Sequence, residues 1–292
     1  MSETTAVSTA FVLAGGGSLG AIEVGMLKAL VARGVRADLL VGASVGAVNA
    51  AYFAGDPTPA GVGHLERVWR GLRRADVFPL PTIRTVLGLA AGRGHLLDPS
   101  PLRRLLERHL PYGRLEEARV PCHVLAADVL DGSPVVVSDG PAVEALLAST
   151  AIPGVFPPVG IGARHLVDGS LASATPVSVA AEMGARRIVV LATGLSCAAR
   201  RPPSRAAEAA LHALHLLAVR FLAADVVRIG ARATLAVVPP LCPLATSSYD
   251  FTAAAALIDR AERTTLDWLD AGGLEAGSIP PQLGPHAHRT AA

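Results

Sequence analysis

Val41-Gly42-Ala43-Ser44-Val45-Gly46 is the stretch that decides how this chain folds. The residues before it, Ala37 to Val41, are apolar apart from Asp38 and read as a buried strand, while Val45 to Ala54 form an Ala-rich helical run. Small residues on both sides of Ser44 permit a turn sharp enough to lift its hydroxyl clear of the strand. Ser44 is therefore the candidate nucleophile, with Gly42, Val45 and Gly46 completing the elbow. The helix that follows brings unpaired N–H groups and the positive end of its dipole close to that hydroxyl, where an oxyanion would develop during acyl transfer. A small-residue turn with an incidental serine has the same local pattern, so the assignment depends on the rest of the chain.

Upstream, Thr9 to Ala14 reads as a short buried strand that runs into Gly15-Gly16-Gly17-Ser18-Leu19-Gly20 and a helix to about Arg33. Such a loop presents successive backbone N–H groups in a concave array, suited to a phosphate or to a developing oxyanion. A dinucleotide-binding loop would be followed, about 20 residues on, by an acidic residue at the carboxyl end of the next strand. Here Asp38 precedes that strand and Gly42, Ala43 and Ser44 occupy its end, which argues against a nucleotide cofactor. In a parallel α/β sheet the carboxyl ends of neighbouring strands meet at one crevice, so the glycine loop and the Ser44 turn belong side by side.

Strand and helix patterns alternate through the remaining chain. Leu65, Val68, Trp69 and Leu72 face one side of a helix and Arg67, Arg70 and Arg74 another, a basic face that is either solvated or a headgroup patch. Asp76 to Leu97 mixes prolines and glycines with apolar residues and reads as a mobile cover over the crevice, or as a static connection completing the core. Ser100-Pro101 is expected to cap a helix. Cys122 to Val129 and Pro134 to Ser138 read as strands joined by a turn at Asp131-Gly132, followed by a short helix from Pro141 to Thr150. Ala151 to Val159 is too Pro-rich for regular structure, and Arg164 to Val167 leads into Asp168-Gly169-Ser170. Helices are expected from Pro176 to Met183, from about Arg205 to Gly230 and from Thr252 to Asp270, with strands at Arg187 to Ala192 and Thr234 to Val238. The alternation predicts a three-layer α/β/α sandwich with a mostly parallel central sheet, over one domain at residues 8–271 and a disordered tail at 272–292.

A chain of 292 residues with 51% hydrophobic residues is long enough to bury one large core. Net charge of +2 and 4% aromatic residues give no nucleic-acid footprint. Cys122, Cys197 and Cys242 have no metal-ligand spacing, so no metal is expected, and they fit reduced thiols in a cytoplasmic protein. The first ten residues lack the basic start of a secretory signal, and charged residues interrupt the apolar run from Leu211 to Ile229, so neither export nor a membrane span is expected.

Taken in order, Gly15-Gly16-Gly17-Ser18-Leu19-Gly20, Gly42-Ala43-Ser44-Val45-Gly46 and Asp168-Gly169-Ser170 resemble the three signature motifs of the patatin-like phospholipases, and Ala151 to Val159 resembles that family's Pro-rich loop. The resemblance implies a serine hydrolase that cleaves lipid acyl esters with a Ser-Asp dyad, without histidine, metal or cofactor. Ser44 would be the nucleophile and Asp168 the base, supported by Gly169 and Ser170, with Gly15, Gly16, Gly17, Ser18 and Gly20 forming the oxyanion loop. The partner would be a lipid or other acyl ester, with peripheral membrane contact. Leu19 stands where the family usually has Arg or Lys, Ser170 where it has Gly or Ala, and Ala174 where it often has Asn. These departures keep open a second reading, a catalytically weak relative that binds lipid or a partner protein.

The choice of Asp168 as base can be checked against the chemistry of the other candidates. A serine hydroxyl needs a base within hydrogen-bond reach. The late His286 and His288 fall in the expected tail, and His165, three residues before Asp168, would face the other side of its strand. A carboxyl with an ordinary pKa near ~3.9 needs burial to serve near neutral pH.

Overall fold

Phe11 and Leu13 point to one side of a strand and Ala10 and Val12 to the other, and all four are buried, which marks a strand covered on both faces. This is β1, Thr9–Leu13, at the centre of the sheet in the computed structural model. The structure describes residues 9–79, 94–194, 232–275 and 280–283, with 216–218, 220–222, 224–225 and 227–230 between them.

The chain leaves β1 through a 3-10 turn at Gly17–Leu19 into α1, Gly20–Ala32, then β2, Leu39–Ala43, and α2, Val45–Gly55. Helices α3, Pro59–Gly71, α4, Arg74–Val77, and α5, Ser100–His109, precede β3, Cys122–Asp128. After β4, Pro134–Val137, come α6, Ala142–Ser149, β5, Val159–Ile161, and β6, Arg164–Asp168. The order closes with α7, Ser170–Ser173, α8, Val177–Glu182, β7, Arg187–Leu191, β8, Thr234–Val238, and α9, Ala254–Asp270.

The strands run β5-β6-β3-β2-β1-β7-β8 across one sheet, with β4 also on β3. Pairs β1–β2, β1–β7, β2–β3 and β7–β8 are parallel; β3–β4, β3–β6 and β5–β6 are antiparallel. The mostly parallel α/β sandwich is thus present. Phe11, Leu13 and Leu40 join the larger core under α1, α2, α3 and α9, while Val12, Val41 and Val190 pack in a second core with Val177 and Ala180 of α8. A fully buried Leu, Ile or Phe in these cores contributes roughly 1.5–3 kcal/mol by removal from water. Lys28 ties the first layer together, bonding Glu66 of α3 at 2.9 Å and Glu262 of α9 at 2.7 Å. Arg70 pairs with Glu66 and Asp259, so part of the basic face on α3 is neutralised by neighbouring carboxylates.

Two local expectations need correction. Val159–Ile161, at the end of the Pro-rich run, does form a strand, because β6 offers it an antiparallel edge. Ser100 does not cap α5; it is the first helical residue, its N–H and hydroxyl both donate to Asp98 Oδ1, at 2.9 and 2.6 Å, and Pro99 holds the N-cap position without a side-chain cap bond. The expected hairpin is present, β3 and β4 pairing antiparallel across a link from Val129 to Ser133 in which Gly132 has φ 72°. Residues 80–93 of the expected cover, most of the expected helix at 205–230, and 276–279 and 284–292 of the expected tail lie outside the described residues. Among the described residues no helix is long and apolar enough to cross a membrane.

Candidate active site

Pairing on β3 brings the two candidate residues together. Val124 and Leu125 pair with both β2 and β4, and Ala126 and Ala127 with both β4 and β6. One edge of a strand holds one partner at a time, so β2 and β6 lie end to end on the edge opposite β4. Ala43 pairs with Leu125 and Asp168 with Ala126, the next residue along. Ser44 and Asp168, 124 residues apart in sequence, therefore meet at the seam, with Ser44 Oγ donating to Asp168 Oδ2 at 2.7 Å.

Ser44 is the one non-glycine residue with positive φ among the described residues, at φ 53° and ψ −127°. Strain of this kind is found at nucleophile elbows, where it must be held by the surroundings. The end of β2 touches the start of α2 so closely that a Cβ on Gly42 would lie 2.5 Å from the Gly46 carbonyl carbon. Buried Ser149, the last residue of α6, accepts the Ser44 N–H at 2.9 Å and donates to the Leu125 carbonyl at 2.6 Å, while its own carbonyl accepts the Gly169 N–H at 3.1 Å. It fastens both sides of the seam. Ser149→Ala is expected to lower stability by about 1–3 kcal/mol, the usual cost of a buried polar group that loses its partner. The check is a urea titration, with a lower midpoint at unchanged slope.

Not all the glycine-loop amides are available to a ligand. The Gly15 N–H donates to the Ala174 carbonyl and the Ser18 N–H to the Ser248 carbonyl, each at 2.8 Å. The N–H groups of Gly16 and Gly17 donate to no described residue. Thr193 Oγ1 donates to the Gly15 carbonyl at 2.8 Å and Ser18 Oγ to the Ser247 carbonyl at 3.1 Å, so the loop is held from behind. Gly15 passes so near Ser44 that a Cβ on it would lie 3.4 Å from Ser44 Cβ and 2.3 Å from Ser170 Oγ. Gly20 stands apart at the start of α1, where its carbonyl accepts from Asn49 Nδ2. Leu19 is wholly buried in the larger core.

Asp168 is 4% exposed. Burial pushes its carboxyl up to about 6, and the Ser170 N–H, donating to Oδ1 at 2.8 Å, and the Ser44 hydroxyl offset part of that shift. Tyr249 is pushed up to about 12, chiefly by burial and then by the charge of Asp168, and stays a neutral phenol.

Beside Ser44 and Asp168 opens a cavity of about 210 Å³ whose wall is mostly apolar, with Trp69, Phe78 and Phe156 among its lining. Trp69 is fixed by donating Nε1–H to Asn49 Oδ1 at 2.9 Å, and Asn49 in turn donates to Glu23 Oε2 at 2.8 Å. Complete burial holds the Glu23 carboxyl well above the usual range. Among the described residues His109 is the one histidine on the cavity wall; His165 is exposed on β6, and His123 bonds Ser138 through Nδ1 at 2.6 Å. Cys122 is buried and Cys242 is half-buried, and no metal-ligating cluster occurs among the described residues. Ser149, Thr193 and Ser248 escaped the sequence reading. Ser149 sits at an ordinary helix end, and Thr193 and Ser248 act from segments joined to the site only by the fold.

Fold and site define an α/β protein with a strained serine against a buried aspartate. A model of the patatin-like phospholipase family matches residues 11–181, more than half of the chain, and the chain belongs to that family. Patatin-like phospholipase domain-containing protein 6 of Homo sapiens is 27% identical over 192 residues, which cover 65% of this chain and 14% of that protein. An uncharacterized NTE family protein of Mycobacterium tuberculosis is 31% identical over 173 residues, 59% of this chain and 28% of that one. The match thus spans a minor part of these relatives' length. Among solved structures, human GIVD cytosolic phospholipase A2 in complex with methyl gamma-linolenyl fluorophosphonate resembles the fold, with TM-score 0.50 and 13% identity over 95% of this chain and 60% of that chain.

Proposed function

We propose that this chain is a serine acyl-ester hydrolase acting on lipids, with Ser44 as nucleophile, Asp168 as base and the glycine loop as oxyanion hole. The observation that carries the reading is the 2.7 Å contact from the strained Ser44 hydroxyl to a buried carboxylate at the mouth of an apolar cavity. Membership of the patatin-like phospholipase family supports a lipid ester as substrate.

In this reading Asp168 Oδ2 takes the Ser44 proton as Oγ attacks the acyl carbonyl. The carbonyl oxygen gains negative charge and receives the N–H groups of Gly16 and Gly17, with the start of α2 adding its dipole. Collapse expels the alcohol, which leaves with the proton held by Asp168. Water then gives a proton to Asp168, attacks the acyl-serine and releases the fatty acid, and the proton returns to Ser44. The expected result is that a fluorophosphonate probe labels the protein on the peptide carrying Ser44, and that the unlabelled protein turns over a four-carbon nitrophenyl ester in the presence of a chelator. Absence of both turnover and labelling would overturn the proposal and favour a lipid-binding role without chemistry.

A further inference from the structure

We infer that Tyr52, braced by His64 and His109, closes the far end of the cavity and limits the acyl chain to about ten carbons. The inference rests on the reading of the cavity as the acyl site and adds which acyl groups it takes.

Helix α2 starts at the nucleophile and leads away from it. Val45, Val48 and Tyr52 lie at helical spacing on one face, and all three line the cavity. From Ser44 to Tyr52 is eight residues, or about 12 Å at ~1.5 Å per residue. An extended chain of single bonds advances roughly 1.2 Å per bond, so about ten carbons reach from the serine to the tyrosine.

Past Tyr52, Pro111 and Tyr112 pack against the last turn of α2. A Cβ on Gly55 would lie 2.3 Å from Pro111 Cγ and 2.9 Å from the Tyr112 ring, and the Tyr112 hydroxyl donates to the Ala51 carbonyl at 2.7 Å. The segment after α5 is thereby bolted over the last turn of α2. Tyr52 is itself 7% exposed and cannot swing out freely. Its ring meets His64 edge to face at 5.8 Å, and His64 meets His109 in the same way at 6.1 Å. His109, on the wall as the last residue of α5, also brings polar nitrogen to an otherwise apolar surface. A methyl terminus arriving there meets a braced ring and polar atoms, and a longer chain has to displace them.

The test is kcat/KM for nitrophenyl esters of four to sixteen carbons, each expressed relative to the four-carbon ester of the same variant. The native protein should rise to about ten carbons and fall beyond. Tyr52→Ala should raise the sixteen- to eight-carbon ratio by about tenfold or more, the scale on which a pocket senses a few methylenes. Val48→Phe, halfway along the stripe, should move the maximum to about five carbons. Fluorophosphonate labelling reports whether each variant has kept its elbow, and if Tyr52→Ala is not labelled, Tyr52→Leu and Val48→Phe decide. Turnover of the four-carbon ester with a profile unmoved by these changes overturns the gauge and leaves the hydrolase reading standing. A native protein that neither turns over that ester nor takes the label overturns the hydrolase reading and the gauge with it.

Discussion

Ser44→Ala is expected to reduce ester turnover by about 10^4–10^6-fold and to abolish fluorophosphonate labelling, because it removes the atom that would form the acyl intermediate. The size follows from how such sites share their work: without the nucleophile, what remains is the binding of substrate and of the oxyanion. The fold should survive. Ser44 is 9% exposed, its backbone N–H still reaches Ser149, and alanine is smaller than serine. Alanine does inherit the backbone at φ 53°, a conformation in which a Cβ is strained. Ser44→Gly should therefore be equally inactive yet more stable than Ser44→Ala by roughly 1 kcal/mol. Comparing the two inactive variants by urea titration tests the elbow independently of catalysis. Equal stability would show that the turn is not strained by its side chain, and undiminished turnover in either would remove Ser44 from the chemistry.

What the sequence revealed, and what it hid, divides by distance along the chain. The units β1-loop-α1 and β2-elbow-α2 are local, so glycine spacing, small residues and apolar runs sufficed to place them within a residue or two of Thr9–Leu13 and Val45–Gly55. The mostly parallel sheet followed from strand and helix alternating. Reaching Asp168 took the ordered resemblance, since nothing in residues 164–170 says that β6 will dock end to end with β2 on β3. Nor does composition say which loop amides stay open. That depends on the carbonyls of Ala174 and Ser248, which arrive from remote segments and occupy the N–H groups of Gly15 and Ser18. The antiparallel β5 was missed because its pairing belongs to β6, and its own residues are dominated by the prolines before it.

Asp168→Asn is expected to lower turnover by about 10^2–10^4-fold while making the folded protein more stable at neutral pH, and the two effects share one cause. Burial raises the Asp168 pKa from 3.8 to about 6, so the folded chain holds this proton more tightly than the unfolded chain. A raised carboxyl pKa favours the fold below about pH 4, where the group is protonated in both states. That advantage is lost as pH rises through the window from about 4 to about 6. Above the window the folded protein keeps a buried charge at a cost of roughly 3 kcal/mol, about two pKa units at ~1.4 kcal/mol each. Asparagine carries no such charge. Its side-chain oxygen can still accept the Ser170 N–H, and its amide can donate to Ser44 Oγ in place of the native bond in the other direction. Urea titrations should therefore show the variant more stable than the native protein by up to about 3 kcal/mol at pH 8, with the difference shrinking toward zero near pH 4. The native kcat/KM should rise with pH through an apparent pKa near 6 and then level, since only the ionised carboxylate accepts the serine proton. A native profile flat from pH 5 to 8, or an asparagine variant with native turnover, would take the base role from Asp168. A variant no more stable at pH 8 than the native protein would mean that the carboxylate is better solvated or better bonded than its burial implies.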